Sequence, residues 1–153
     1  MMTIGIDELL REIDVLNWYR GEALKRGEET AVMVQTAREQ QTAMMYHMET
    51  ARTMMMARVN TQRVRMTCDV DGEEMTFTLT PIRRGKEYLL EMIRGMIKQY
   101  LVAETRRLWM MNINPQWADA TMRETMEMNL TEMIALATDA GPKVRRRCAV
   151  MGI

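Results

Sequence analysis

The residue types that most often carry chemistry are scarce in this chain. Among 153 residues there are one His and two Cys, and there is no Ser. The missing Ser excludes serine hydrolase chemistry, and three His and Cys side chains leave almost no ligands for a zinc site. The eight glycines are scattered and form no phosphate-binding loop. We therefore expect a non-enzymatic protein with no catalytic residues, metal ligands or cofactor.

Methionine is the exception, with 20 of the 153 residues. Met44, His47 and Met48 lie on one face of a predicted helix, and thioethers together with an imidazole bind Cu(I). Methionine also fills irregular gaps in helical cores, and here it occurs in the predicted hairpin and in three of the four predicted helices. We interpret these methionines as core residues and rank a Met-rich Cu(I) carrier last among three functional hypotheses.

The carboxylates show no arrangement for acid–base or di-iron chemistry. There is no Glu-x-x-His motif, which a ferritin-like bundle requires. Glu104 is close in sequence to Arg106, Arg107 and Trp109, at the end of a strong apolar stripe. This pattern favours a buried ion pair or a contact between subunits over catalysis.

Hydrophobic periodicity predicts a mainly α protein, a four-helix bundle-like domain with one inserted antiparallel β-hairpin and an extended C-terminal tail. The predicted helices cover about residues 3–27, 30–59, 86–109 and 114–140. A helix of residues 30–59 spans roughly 45 Å, whereas a compact domain of this size is roughly 30 Å across. We expect one end of this helix to project and meet a partner, although a bend would also fit its length.

Between about residues 63 and 80 the apolar period changes from 3.6 to 2. Asp71-Gly72 is a strong signal for a two-residue hairpin turn. With Asp71 and Gly72 as the turn residues, Cys68 lies opposite Met75 and Met66 lies opposite Phe77. This register puts the apolar side chains of both strands on one face.

The last residues differ in composition from the rest of the chain. We predict a single domain over 1–141, followed by an arm over 142–153. The arm has four positive charges within five residues, then apolar residues and Gly. It fits either a basic arm on nucleic acid or an extended segment added to the sheet edge of a neighbour, and we favour docking.

The predicted interaction residues lie near the end of the long helix, in the hairpin and in the arm. At least one of three consecutive methionines is expected to be exposed, because they point in different directions around a helix, unless that helix is buried on all sides, which the sequence leaves equally open. The residues are Met54, Met55, Met56, Arg65, Asp71, Gly72, Arg145, Arg146, Arg147, Cys148, Val150 and Ile153.

Net charge and hydropathy limit the classes of partner. The 21 basic and 21 acidic residues cancel, which weakens the case for general nucleic-acid affinity. No segment has 18 uncharged apolar residues, and the acidic opening is unlike a secretory leader. We expect no membrane contact and synthesis in the cytoplasm.

The order of elements resembles the small helical connector proteins in the neck of tailed bacteriophages, between portal and tail. The segments that carry the resemblance are TIGIDELL, the long helix from Thr30, the hairpin at Asp71-Gly72 and PKVRRRCAVMGI. None of these is a diagnostic motif, so no site residue is transferred. The resemblance implies a structural protein that self-associates in a ring with other virion proteins. The alternative is a binding or regulatory module that contacts nucleic acid through Arg83, Arg84 and the arm.

Overall fold

The computed structural model describes residues 1–23, 41–60, 64–113 and 120–138. These residues form four helices and one three-stranded antiparallel sheet, which confirms the mainly α class with an inserted hairpin. The elements are β1 (Met2–Gly5), α1 (Ile6–Ala23), α2 (Gln41–Val59), β2 (Arg65–Asp71), β3 (Glu74–Thr80), α3 (Leu89–Ile113) and α4 (Ala120–Thr138). Residues 30–40 of the predicted long helix, the Asn114-Pro115 helix start and the arm over 142–153 lie outside the described residues.

The hairpin forms where it was predicted, but the predicted register was wrong. Asp71 pairs with Glu74, so the two turn residues are Gly72 and Glu73. Gly72 has a φ of 48°, and both common hairpin turn types need positive φ at this first turn position. Cys68 consequently pairs with Phe77, and Met66 pairs with Leu79. Because the shift is by two residues, the apolar side chains still share one face.

The N-terminal residues form a strand that the sequence analysis did not predict. β1 pairs antiparallel with β3, so the strand order is β1-β3-β2. Met2 and Ile4 of β1 are buried on the face that also carries Met75 and Phe77. The Ile6 amide then donates to the Glu73 carbonyl at 2.8 Å, which carries the pairing into the start of α1.

Side chains form hydrogen bonds with the backbone of both edge strands of the sheet, β2 and β1. On the outer side of β2, the Asn60 side-chain amide accepts from the Met66 N–H at 2.9 Å and donates to the Met66 carbonyl at 3.2 Å. On the β1 side, Arg94 Nε donates to the Thr3 carbonyl at 2.9 Å. Both side chains come from outside the sheet, Asn60 from the end of α2 and Arg94 from α3.

The core lies between the apolar face of the sheet and the helices, with α3 at its centre. α3 contacts α1, α2, α4 and β1. Its buried side chains follow the predicted helical stripe and include Ile93, Ile97, Tyr100, Leu101 and Trp109. The loop after β3 is attached to α4, because the Arg83 amide donates to the Ala137 carbonyl at 2.9 Å. The sheet, α3 and α4 are thus held together at one end of the core.

Candidate interaction surfaces

An apolar groove lies between α2 and the tip of the hairpin. Its volume is about 410 Å³, and it is lined by Ile6, Met45, Tyr46, Met48, Glu49, Arg52, Val70 and Met75. Tyr46 is 68% exposed and Val70 is 51% exposed, although both side chains are largely apolar. The remaining apolar lining comes from the core. We call this surface the apolar groove.

The groove ends near Cys68, whose side chain is half-buried. Arg52 forms a hydrogen bond with the Cys68 side chain, but burial outweighs this contact and raises the pKa of the thiol. A thiol in this state is a poor nucleophile, since the thiolate is the reactive form. The groove therefore offers shape and apolar area, with no sign of cysteine chemistry.

An acidic cleft lies on the other side of α2, between α2 and α4. Its volume is about 610 Å³, and it is lined by Met55, Arg58, Val59, Tyr100, Glu124, Glu127, Met128, Leu130, Thr131 and Glu132. Its charged lining consists of three glutamates and one arginine. Within the part of the chain that the structure describes, Glu124 and Glu132 have no ion pair. We call this surface the acidic cleft.

Glu127 is the one carboxylate of the cleft that has partners among the described residues. Its Oε2 lies 3.4 Å from Arg58 Nη2, and its Oε1 accepts a hydrogen bond of 3.2 Å from the Tyr100 hydroxyl. Burial, with the negative charges of Glu104 and Glu127 nearby, raises the pKa of Tyr100. Tyr100 therefore stays neutral and donates a hydrogen bond to Glu127, which holds this carboxylate at the floor of the cleft.

A buried charge cluster lies next to this floor. Glu104 is 0% exposed. Arg107 donates to both carboxylate oxygens of Glu104, at 2.9 Å and 2.6 Å, and Arg123 of α4 lies 3.5 Å away. The bidentate contact raises the pKa of Arg107. The prediction of a buried ion pair at Glu104 is confirmed: Arg107 pairs with it within α3, and Arg123 joins it to α4.

Arg106 and Arg94 have other partners than their sequence neighbours. Arg106 Nε donates to Asn17 Oδ1 at 3.0 Å, which joins α3 to α1. Arg94 follows Glu91 by three residues on α3, and it forms an ion pair of 3.2 Å with Glu8 of α1. Both contacts join residues that are far apart in the chain, which sequence spacing alone does not reveal.

The three consecutive methionines of α2 are less accessible than predicted. Met55 is 1% exposed and belongs to the core, whereas Met54 and Met56 are half-buried. The expectation that at least one of the three would be clearly exposed is therefore wrong. From Met44 to Val59, one face of α2 packs on the core. The most exposed large apolar side chain of α2 is Tyr46, not one of the three methionines.

The hairpin residues of the predicted interaction set are accessible. Arg65, Asp71 and Gly72 are all exposed. Arg65 lies at the far end of the hairpin from the turn, so these residues do not form one patch. The other predicted residues, Arg145, Arg146, Arg147, Cys148, Val150 and Ile153, lie outside the described residues.

The residues of the hypothetical copper site lie in the core. Met44 and Met48 are buried, and His47 is 8% exposed with Nε2 at 3.3 Å from the Asn112 side-chain nitrogen. Burial lowers the pKa of His47, so the imidazole is neutral at pH 7. Within the described ranges, no group of three or more His, Cys, Asp or Glu could hold a metal ion.

Sequence reasoning missed both surfaces, because each one combines residues that are distant in the chain. Tyr46 and Val70 come from a helix and a hairpin, and Arg58 and Glu132 come from two different helices. One signal in the sequence pointed to the apolar groove. Tyr46 is an aromatic residue that lies outside the apolar stripe of its predicted helix. The glutamates of α4 are visible in the sequence, but acidic residues on one side of a helix are also typical of a solvent-exposed face.

Comparisons of the chain with protein-family models, with curated proteins and with solved structures find no match. Among the described helices, none is both long and apolar enough to cross a membrane.

Proposed function

We propose that this protein is a non-enzymatic assembly protein that works by self-association, as a ring subunit. The observation that carries the proposal is the apolar groove, where the largely apolar side chains of Tyr46 and Val70 are more than half exposed around a concavity. An exposed apolar concavity of this kind is typical of a surface that a partner covers. In self-association, that partner is a second copy of this chain.

The chemistry of the described surfaces supports an assembly role. Glu124 and Glu132 of the acidic cleft are exposed and have no ion pair within the described ranges. Exposed charges of this kind can give the charge complementarity that a contact between copies uses.

Light scattering after size-exclusion chromatography tests the proposal. We expect the wild-type chain to form a defined oligomer whose mass depends on concentration. The Tyr46→Glu and Val70→Glu variants should shift it towards the monomer, because each places a charge at the centre of the apolar contact. Both side chains are exposed in a single copy, so circular dichroism should stay unchanged.

Tyr88→Glu is the matched control. Tyr88 is also more than half exposed, but it does not line the groove. It should leave the oligomer intact. A wild-type chain that stays monomeric over the whole concentration range, or an equal effect of all three variants, would contradict the proposal.

Within this proposal we place the protein in the neck of a tailed bacteriophage, between portal and tail. The support is the resemblance in the order of elements, together with the mainly α fold and its exposed hairpin. The test is mass spectrometry of purified particles and inspection of neighbouring genes. Portal and tail genes beside this one, and the chain itself in the particle, are the expected result.

The alternative function is a binding module for nucleic acid. It is favoured by one feature, the loop after β3, where Arg83 and Arg84 are exposed and Lys86 lies near the Tyr88 ring. Fluorescence anisotropy with DNA at two salt concentrations separates the two functions. Binding that weakens steeply with salt would favour the alternative, and no binding at low salt would remove it.

A further inference from the structure

We infer that the acidic cleft receives the basic segment 143–153 of a second copy. This inference rests on the proposed self-association and names a second contact between copies, in addition to the apolar groove. The cleft and the segment belong to one sequence and have opposite charge. A surface and a complementary segment on the same chain are what a head-to-tail contact requires, and such contacts form a ring when the rotation between copies closes.

The charges of the cleft are available for a partner. Glu124 and Glu132 are exposed, and neither has an ion pair within the described ranges. Glu127 is held between Arg58 and Tyr100 at the floor. The two outer carboxylates therefore present unpaired negative charge on either side of a fixed one.

The dimensions of the two parts agree. Glu124 and Glu132 are eight residues apart on α4, which is about 12 Å along a helix. Lys143 and Arg147 are four residues apart, which is about 13 Å in an extended chain. In an extended chain Lys143, Arg145 and Arg147 share one face, so the row of cations matches the row of carboxylates.

The cleft also has an apolar component that suits the segment. Met55, Val59 and Leu130 are buried in its lining, and Met128 is 65% exposed at its rim. The segment continues beyond Arg147 with Cys148, Val150 and Ile153. The methylene groups of a cation row that lies along the glutamates can cover Met128, and the apolar residues after Arg147 then lie past one end of that row.

The first test compares self-association constants of full-length variants. Glu124→Lys/Glu132→Lys changes the cleft, and Arg145→Gln/Arg146→Gln/Arg147→Gln changes the segment. We expect the cleft variant and the segment variant each to weaken self-association tenfold or more. The chain that carries both sets of substitutions should associate no more weakly than either variant alone, because both sets remove the same contact. The control is Glu87→Lys/Glu91→Lys, which changes the net charge by the same amount as the cleft variant. Glu87 precedes α3 and Glu91 lies in its first turn, and both side chains are exposed.

The second test identifies the two sides of the contact by crosslinking. In a chain that carries both Met128→Cys and Arg145→Cys, the two new thiols of neighbouring copies should form a disulfide under mild oxidation, because Arg145 is the middle cation of the row and Met128 lies midway between Glu124 and Glu132. Met122 is also exposed on α4 but does not line the cleft, so Met122→Cys in place of Met128→Cys should crosslink at least tenfold less. Peptide mapping separates these products from any that involve Cys68 or Cys148.

The outcomes distinguish the inference from the proposed function. A wild-type chain that is monomeric at every concentration overturns both. A wild-type oligomer that the cleft and segment variants leave unchanged, or additive effects of the two sets, overturns only the inference. A disulfide within one copy overturns it too, because the segment would then fill the cleft of its own chain.

Discussion

The carboxylate of Glu104 stabilises the fold through contacts within the chain. Its carboxylate is fully buried and accepts two hydrogen bonds from Arg107, with Arg123 nearby. A buried carboxylate is tolerated only when such partners replace its water. Its sequence neighbours predicted an ion pair, and the pair exists. The contribution of Arg123 was not predictable, because that residue is on another helix.

Glu104→Gln should therefore destabilise the fold strongly. It removes the charge that balances Arg107, whose side chain is only 14% exposed. Breaking one partner of a buried pair costs about 3–5 kcal/mol. Urea denaturation followed by circular dichroism measures this loss. Glu91→Gln, an exposed residue of the same helix, should change the free energy of unfolding by less than about 0.5 kcal/mol.

Glu8 and Lys98 form the contact between α1 and α3 that depends most directly on pH. Lys98 Nζ lies 2.7 Å from Glu8 Oε1, and this hydrogen bond lowers the pKa of Glu8 and raises the pKa of Lys98. The lowered pKa of Glu8 stabilises the fold above the unfolded value of about 4.3. That stability is lost as pH falls through the folded value. For Lys98 the loss occurs in strong alkali.

Glu8→Gln should accordingly lower the free energy of unfolding by about 0.5 kcal/mol at pH 7, since the pair is partly exposed and screened by solvent. The difference from wild type should shrink as pH falls through the lowered folded-state pKa of Glu8, and vanish once Glu8 is protonated in both states. Chemical denaturation at a series of pH values measures it. Glu87→Gln is the control, and a difference that persists unchanged into acid would contradict this assignment.

At the scale of elements, the hairpin depends on the backbone of one turn residue. Gly72 has positive φ, and a Cβ added there would meet nothing within 4 Å. Gly95 in α3 has equally open space but lies in a helix. Substitutions at the two positions therefore distinguish the effect of backbone conformation from the effect of packing on stability.

Gly72→Ala should destabilise the protein by about 1–2 kcal/mol, because an L-residue resists positive φ. Gly95→Ala should stabilise it by about 0.5–1 kcal/mol, because alanine loses less entropy on entering a helix. Thermal and urea denaturation of the two variants give the comparison. Shifts of the same sign would show that backbone conformation is not the deciding factor at these positions.

Much of the element order was predictable from the sequence, and the predictions that were wrong have physical causes. Alternation over residues 64–80 predicted the hairpin and its apolar face, but not the choice of turn residues, because a shift of two keeps the same face inward. β1 has only four residues and continues directly into α1. Its alternation is too short to recognise, and its pairing depends on β3, which is some seventy residues later.

At the scale of the whole molecule, composition predicted the core better than the surface. Met44, Met48 and Met55 fill the space between helices, as flexible side chains do. The apolar groove and the acidic cleft each need tertiary structure to exist, so no local pattern could reveal them. Single apolar residues in a sequence do not show whether they will lie beside one another on a surface.

The side chains that bond to the two borders of the sheet also limit how copies of this protein can come together. An incoming foreign strand would have to displace Asn60 from Met66 or Arg94 from Thr3 before it could pair there. Open borders allow indefinite stacking into amyloid-like fibrils, and occupied ones discourage it. Crowded copies should therefore meet through side chains and separate again on dilution.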